Sequence, residues 1–157
     1  MTGRRRLLVT VHVLGAVSNL GVTGVLFILV GRTFSSDPAV AGAAARLGSL
    51  CFDAAALPLA LTALLTGIAS ALASPWRLFR HGWVVKKLGL TLANLVVVAA
   101  VVGPWIGVTA DSAQARLTTV GGLAGQALLL ILSTALSVYK PRRKAVVAGV
   151  RQVRMSP

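Results

Sequence analysis

Long apolar stretches separated by short polar segments dominate this sequence, and they cover residues 7–30, 47–73, 83–106 and 117–139. Each is longer than the roughly 20 apolar residues that a helix needs to cross about 30 Å of hydrocarbon. The stretches are rich in Leu and Ala and lack the two-residue alternation of a barrel strand. Helices and closed barrels are the structures that satisfy their own backbone hydrogen bonds in a bilayer. The pattern therefore predicts an all-α fold, a bundle of four transmembrane helices.

The connections between the stretches are short, and no segment is long or polar enough for a second, soluble domain. We therefore expect one integral membrane domain over residues 1–157, with a basic tail over residues 140–157. Asp37 and Pro38 form a helix start signal, which predicts that the second helix begins before its apolar stretch. The first stretch follows three arginines, as in a signal peptide, but its apolar run of about 24 residues exceeds the usual 7 to 15. We expect it to remain as a span.

Composition and charge exclude two other classes of protein. Hydrophobic residues make up 56% of the chain and charged residues 12%, with a mean hydropathy of +0.84. Soluble domains have about 25% charged residues, so a water-exposed globule is excluded. The 16 Lys and Arg outnumber the three Asp and give a net charge of +13. Nucleic-acid binding needs a solvated basic surface, which the apolar stretches do not leave, and we expect no nucleic-acid partner.

The cations are distributed unevenly between the two sides of the predicted bundle. Thirteen of the 16 lie in the N-terminal segment, around residues 77–87, and in the tail. Arg32, Arg46 and Arg116 fall on the opposite side. Cytoplasmic segments of membrane proteins carry the excess of Lys and Arg, so this asymmetry predicts that both termini are cytoplasmic.

The second stretch carries a continuous stripe of small and polar side chains at steps of three or four residues. Helices in lipid pack through small residues, so the stripe is expected to face the bundle interior, with Arg46 and Asp53 two turns apart at its outer end. Pro58 removes a backbone hydrogen bond and predicts a bend below that end. The stripe consists of Arg46, Ser49, Asp53, Ala56, Ala60, Ala63, Gly67, Ser70 and Ser74.

Polar side chains near mid-bilayer predict a polar layer inside the bundle. A rise of about 1.5 Å per residue puts Asn19, Thr62, Thr66, Asn94 and Gln126 at that depth. Interhelical hydrogen bonds, worth roughly 0.6 to 2 kcal/mol each, explain such a layer most simply, and a path for a small molecule or ion is the alternative. The residues expected in helix packing and the polar layer are Asn19, Asp53, Gly67, Asn94 and Gln126, and Gly121 and Gly125 add one G-x-x-x-G pair.

Aromatic and basic residues alternate where the connection between the second and third stretches meets the membrane. Aromatic rings settle at headgroup depth while Lys and Arg extend into water, so this interface cluster is typical of an anchor. The same side chains could hold an anionic lipid headgroup or a partner on the cytoplasmic side. The interface cluster consists of Trp76, Arg77, Arg80, Trp83, Lys86 and Lys87.

The sequence contains no recognisable catalytic apparatus. Paired carboxylates, G-x-S-x-G, a Walker loop and H-E-x-x-H do not occur, so we expect neither an enzyme nor a cofactor. The single Cys51 excludes an internal disulfide and favours a structural role. Two neutral imidazoles can ligate haem iron, which makes His12 and His81 weak candidates for haem or another metal. His81 lies beside Arg80 in a connection, where its position is poorly fixed.

The residues around the second connection resemble a family of small four-span actinobacterial membrane proteins, filed as uncharacterised predicted integral membrane proteins. The resemblance covers residues 57–92 and, more loosely, Val11-His12-Val13. It departs at Ser18-Asn19, where the family has Gly-Trp, and at Gly103-Pro104-Trp105, which replaces a His-bearing helix end. The resemblance implies a bacterial inner-membrane location and brings no activity. The residues that carry it are Leu57-Pro58-Leu59-Ala60-Leu61, Leu64-Leu65-Thr66-Gly67, Ser74-Pro75-Trp76, Leu78-Phe79-Arg80-His81, Trp83-Val84 and Lys87-Leu88.

Together these patterns predict a small multi-pass protein of the bacterial plasma membrane that acts without catalysis, as an interaction or accessory subunit. Its expected partners are the lipid bilayer, anionic headgroups on the cytoplasmic side, and another membrane protein or a second copy of the chain. A small transporter or channel component that uses the polar layer is the first alternative. A haem-binding electron carrier that uses His12 and His81 is the second.

Overall fold

The computed structural model describes residues 3–72 and 82–138, and within these ranges the chain is helical with no strand. This confirms the predicted all-α class. Two of the four long helices contain a π-helical segment, in which backbone hydrogen bonds span one residue more than in an α-helix. The helices are α1 (Gly3–Arg32), α2 (residues 38–72, as Pro38–Cys51, the π-helical π1 at Phe52–Ala56, and Leu57–Leu72), α3 (residues 82–106, as Gly82–Val96, the π-helical π2 at Val97–Val102, and Gly103–Ile106) and α4 (Ala113–Val138).

All four helices are long and apolar enough to cross a membrane. The segments that qualify by length and composition are Arg6–Arg32, Pro38–Ser70, Val85–Ile106 and Ala113–Leu136. They overlap the four stretches predicted from the sequence. The prediction of four helices long and apolar enough to span a membrane is therefore confirmed.

The start of α2 is fixed by its own sequence. Asp37 has an extended backbone, and its Oδ1 accepts a hydrogen bond from the backbone N–H of Ala39 at 2.9 Å. Such a cap satisfies one of the donors that a helix start leaves without an intrahelical partner. Pro38 occupies the first turn, where its missing N–H costs nothing. The helix therefore begins at Pro38, before the apolar stretch, as the start signal predicts.

Each helix packs against the one before and the one after it, and α4 closes the ring by packing against α1. Short connections make such neighbours antiparallel. The backbone of α1 at Gly15 lies against Leu59 and Ala63 of α2, where a Cβ on the glycine would meet the Ala63 nitrogen at 3.8 Å. These contacts set the depth at which residues of α1 and α2 face each other.

The interior combines one apolar cluster with a separate polar region, and the outward surface is strongly apolar. Leu14, Ile28 and Leu65 are 61%, 67% and 63% exposed. Large exposed aliphatic side chains on several helices are what a lipid-facing surface requires. The buried apolar cluster consists of Leu26, Val30, Phe52, Ala56, Val98, Val102, Ile106 and Leu123, contributed by all four helices.

Both π segments end directly before a residue that precedes a proline. The N–H of Leu57 donates to the carbonyl of Phe52, and the N–H of Gly103 donates to the carbonyl of Val98, each across five residues. Pro58 and Pro104 follow at once and cannot donate. A π turn is one way in which a helix adjusts its hydrogen bonds around a proline, and it changes which side chains face inward.

Candidate functional site

Three amide side chains from three helices are buried inside the bundle. Asn19 of α1 is 1% exposed, Asn94 of α3 is 4% exposed, and Gln126 of α4 is 1% exposed. Gln126 Nε2 donates a long hydrogen bond of 3.5 Å to Asn19 Oδ1, which joins residues 107 positions apart in the chain. All three amides that the sequence analysis expects in the polar layer are therefore buried in the bundle, and their depth in a membrane stays a prediction.

The buried amides do not satisfy one another completely. Within residues 3–72 and 82–138, the Nδ2 of Asn19, the Oδ1 of Asn94 and the hydroxyl of Thr119 are buried without a hydrogen-bond partner. By contrast, the hydroxyl of Thr23 donates to the backbone carbonyl of Asn19 at 2.8 Å. A buried polar atom without a partner costs about 1–3 kcal/mol, so these atoms mark a place where further hydrogen bonding is favourable.

Asp53 lies on the outer surface of α2 rather than in the interior, which corrects the orientation expected from α-helical spacing. Arg46 is exposed as well, and Ser49 is half-buried. The cause is π1, because its extra residue shifts the inward-facing positions by one residue on the N-terminal side of the π-helical segment. The interior positions are Ala45, Gly48 and Phe52 instead of Arg46, Ser49 and Asp53, whereas Ala56, Ala60 and Ala63 below the shift face inward as predicted.

Gly67 receives the imidazole of His12 from α1. A Cβ at Gly67 would lie 3.1 Å from His12 Cε1 and 3.3 Å from Nδ1, so a larger residue would displace the ring by a few tenths of an ångström. His12 Nδ1 donates to the carbonyl of Ala63 at 2.8 Å and contacts the hydroxyl of Thr66 at 3.4 Å. Because a carbonyl only accepts, Nδ1 carries the proton in this contact.

The two glycines of the G-x-x-x-G pair face away from the bundle. A Cβ at Gly121 or Gly125 would meet nothing within 4 Å, whereas a Cβ at the adjacent Gly122 would lie 2.9 Å from Val102 Cγ2 and 3.1 Å from Val101 Cγ1. The close approach of α3 and α4 therefore depends on Gly122. The pair itself remains on the outward surface of α4.

The structure also brings together a polar group at the end of the bundle where α4 begins. Arg116 Nη1 donates to the carbonyl of Thr33 at 3.3 Å, and its guanidinium lies 5.1 Å from the ring centroid of Phe34. This stacked, hydrogen-bonded arginine joins α4 to the connection after α1. Sequence reasoning missed this contact, for which the one available signal was an arginine expected in a short connection.

The structure describes only the part of the interface cluster that lies at the start of α3. Lys86 is exposed and Lys87 is half-buried, and the backbone of Trp83 lies in the first turn of that helix. Trp76, Arg77 and Arg80 lie outside the described residues, as does the metal candidate His81. Their expected roles at the membrane surface stay predictions.

Residues 3–72 and 82–138 contain no group of three or more His, Cys, Asp or Glu side chains that could hold a metal ion. The thiol of Cys51 is half-buried and free. His12 uses Nδ1 for its hydrogen bond to Ala63, so Nε2 is the nitrogen that a metal would have to use.

Comparison with known proteins adds no relative from which a role could be transferred. No family model, no curated protein and no solved structure matches this chain. The site therefore has to be interpreted from its own chemistry.

Proposed function

We propose that this protein is a non-catalytic accessory subunit of a membrane assembly, which binds a helix of another membrane protein through the outward face of α2. The observation that carries the proposal is the exposed carboxyl of Asp53 among apolar side chains of α2, with the exposed Arg46 two turns further outward on that helix. Leu50, one turn away, is 64% exposed, and Leu47, nearly two turns away, is 55% exposed. An acid surrounded by lipid-facing leucines needs a polar partner.

The depth of Asp53 supports this reasoning. Phe52, its neighbour in π1, packs in the same buried cluster as Leu26 of α1. At about 1.5 Å per residue, Leu26 lies about 10 Å from the middle of the Arg6–Arg32 span. The hydrocarbon extends about 15 Å on either side of its centre. In a membrane centred on this span, Asp53 would lie in the outer third of the hydrocarbon rather than in the headgroup region.

An aspartate at that depth is costly when it faces lipid. Insertion scales give about 2.5–3.5 kcal/mol for Asp at the centre of a helix and less towards the interface, and intramembrane acids usually pair within a bundle or line a watery cavity. A Lys or Arg on the helix of a partner offsets this cost through a charge-assisted hydrogen bond. Asp53 thus specifies the chemistry of the partner as well as the place where it binds.

A second copy of the chain supplies this cation poorly. Among the residues whose side chains are described, the cations lie near the ends of the helices or, for Arg46, two turns outward from Asp53, about 10 Å along the axis. Two copies that insert with the same orientation would therefore leave Asp53 without a cation at its own depth. A different protein with Lys or Arg in the outer half of a span fits better.

The interior favours an accessory role over the transporter alternative. The apolar cluster of eight side chains from all four helices fills the interior on the side of the amides where α1 ends. A hydrophilic solute that reached Asn19 would meet Leu26 and Leu123, both fully buried, before it could cross. The haem alternative needs His12 and His81 together: the contact of Nδ1 with the Ala63 carbonyl leaves His12 Nε2 as the nitrogen that would bind iron, and His81 lies outside the described residues.

The excess of cations around the termini supports an orientation with both termini in the cytoplasm of a bacterial cell, and hence a location in its plasma membrane. Lys86 and Lys87 at the start of α3 would then meet the anionic headgroups of the inner leaflet. Labelling with a membrane-impermeant maleimide in intact cells tests this orientation. In a Cys51→Ser background, Ser36→Cys should react and Gly3→Cys should not, and the reverse result would overturn it.

Photo-crosslinking in membranes of the source organism tests the proposed function. A photoreactive phenylalanine at position 50 lies beside Asp53, and the same residue at position 128 of α4 serves as the control, because Leu50 and Leu128 are 64% and 57% exposed. We expect position 50 to give a discrete adduct with another membrane protein. Asp53→Asn should abolish this adduct, while Asp111→Asn, which removes a carboxyl in a connection, should leave it unchanged.

Three results would count against the proposal. The first is an adduct with the mass of two copies of this chain, and the second is an adduct of equal yield in Asp53→Asn. The third is no adduct from position 50 although the chains labelled at positions 50 and 128 are both inserted at the normal level.

A further inference from the structure

The buried amides form a site that is independent of the Asp53 surface. Asn19 presents an Nδ2 donor, and Asn94 presents an Oδ1 acceptor, and neither atom has a partner in the part of the protein that the structure describes. Both side chains are more than nine-tenths buried. Gln126 holds the other end of Asn19, so the remaining donor is directed by an existing contact.

The packing of α3 against α4 sets the offset of Asn94 from Gln126 along the bundle axis. Gly122 of α4 lies against Val101 and Val102 of α3. One turn further along both helices, Gln126 lies level with Val98, and Asn94 follows one turn beyond it. A helical turn rises by about 5.4 Å. Asn94 is therefore about one turn, or about 5.4 Å, from the Asn19–Gln126 pair along the bundle axis.

We propose that the interior of the bundle binds a water molecule between Asn19 and Asn94. The water oxygen accepts from Asn19 Nδ2–H, and one water hydrogen is donated to Asn94 Oδ1. Water fits because the two atoms differ in kind: a cation would leave the donor unsatisfied, and an anion would leave the acceptor unsatisfied. The amides are uncharged, so no ionic ligand is needed for charge balance. Buried waters hold two to four such bonds.

Solution NMR of the full-length protein in lipid nanodiscs provides a direct test. The protein is deuterated with exchangeable protons restored, and the Asn19 side-chain amide is identified by its disappearance in Asn19→Leu. We expect a cross-peak between this NH₂ group and water, with the sign that indicates a long-lived water, and its loss in Asn94→Leu. Absence of the cross-peak from the unmodified protein, or its persistence in Asn94→Leu, would overturn the proposal.

Stability gives a second readout with opposite signs for the two cases. If water satisfies Asn94, then Asn94→Leu removes hydrogen bonds and lowers the midpoint of unfolding. If the carbonyl oxygen has no partner at all, the same substitution removes an unpaired buried atom and raises the midpoint. Ser18→Leu, at an exposed position of α1, is the control for adding a leucine to the bundle. A raised midpoint in Asn94→Leu relative to this control would contradict the proposed water site.

Discussion

Gly122→Ala is the substitution for which the structure makes the sharpest quantitative prediction. A Cβ at this position would lie 2.9 Å from Val102 Cγ2 and 3.1 Å from Val101 Cγ1. Contacts under 3.0 Å force something to move. Valine is stiff about its first side-chain torsion, so its methyl groups cannot turn away easily. The two helices would have to separate slightly instead.

The expected loss follows from two opposing effects. Adding a methylene group to a well-packed interior costs about 1–3 kcal/mol. Replacing glycine by alanine inside a helix returns about 1 kcal/mol through helix propensity. Gly122→Ala should therefore range from neutral to about 2 kcal/mol less stable than the unmodified protein.

Two neighbouring glycines on α4 provide matched controls. A Cβ at Gly121 or Gly125 meets nothing within 4 Å, so alanine there brings the propensity gain without the clash. Reversible unfolding by SDS in mixed micelles measures all three variants. We expect Gly122→Ala to be about 1–3 kcal/mol less stable than Gly121→Ala. Equal stability of the three variants would refute the close approach of α3 and α4 at Gly122.

Two further predictions concern other contacts of the bundle. Gly67→Ala should be about 1–2 kcal/mol less stable than Gly89→Ala in the same assay. The reason is that a Cβ at Gly67 would lie 3.1 Å from His12 Cε1, whereas a Cβ at Gly89 meets nothing within 4 Å. Equal stability would show that the ring moves freely. Asp37→Ala should lower the free energy of unfolding by about 1 kcal/mol through the lost N-cap. The control Asp111→Ala, at an exposed position, should lower it by less than about 0.5 kcal/mol. Equal losses of stability would argue against the cap.

Sequence reasoning recovers the features of this protein that depend on local properties. The four helices follow from the length and apolarity of single segments, which a bilayer makes nearly sufficient. The start of α2 follows from Asp37 and Pro38, because capping involves only neighbouring residues. Burial of Asn19, Asn94 and Gln126 agrees with their expected depth, since a polar side chain at mid-bilayer avoids lipid.

The orientation of Asp53 required information that regular spacing does not contain. A helix face extrapolated at 3.6 residues per turn is wrong across π1, because one inserted residue turns the side chains on its N-terminal side by about 100°. Pro58 and Pro104, each two residues after a π segment, were the available signals. The sequence did suggest a disturbance at Pro58, but it indicated a bend rather than a change of face.

The choice between adjacent glycines shows a second limit. Gly121 and Gly125 match a known packing motif, yet Gly122 is the residue that contacts α3. Which of the two faces meets a neighbour depends on how α3 and α4 are rotated about their axes. That rotation is set by contacts such as those of Val101 and Val102, which come from a distant part of the chain.

Association with a defined transmembrane helix tests the central claim most directly. The full-length protein is reconstituted in vesicles with a synthetic poly-leucine helix that carries one Lys about 10 Å outward from its middle, and binding is measured by energy transfer. The proposal predicts at least about tenfold stronger association than with the all-leucine helix, about 1.4 kcal/mol, and loss of this preference in Asp53→Asn. Equal association of the two helices, or a preference that survives Asp53→Asn, would contradict it.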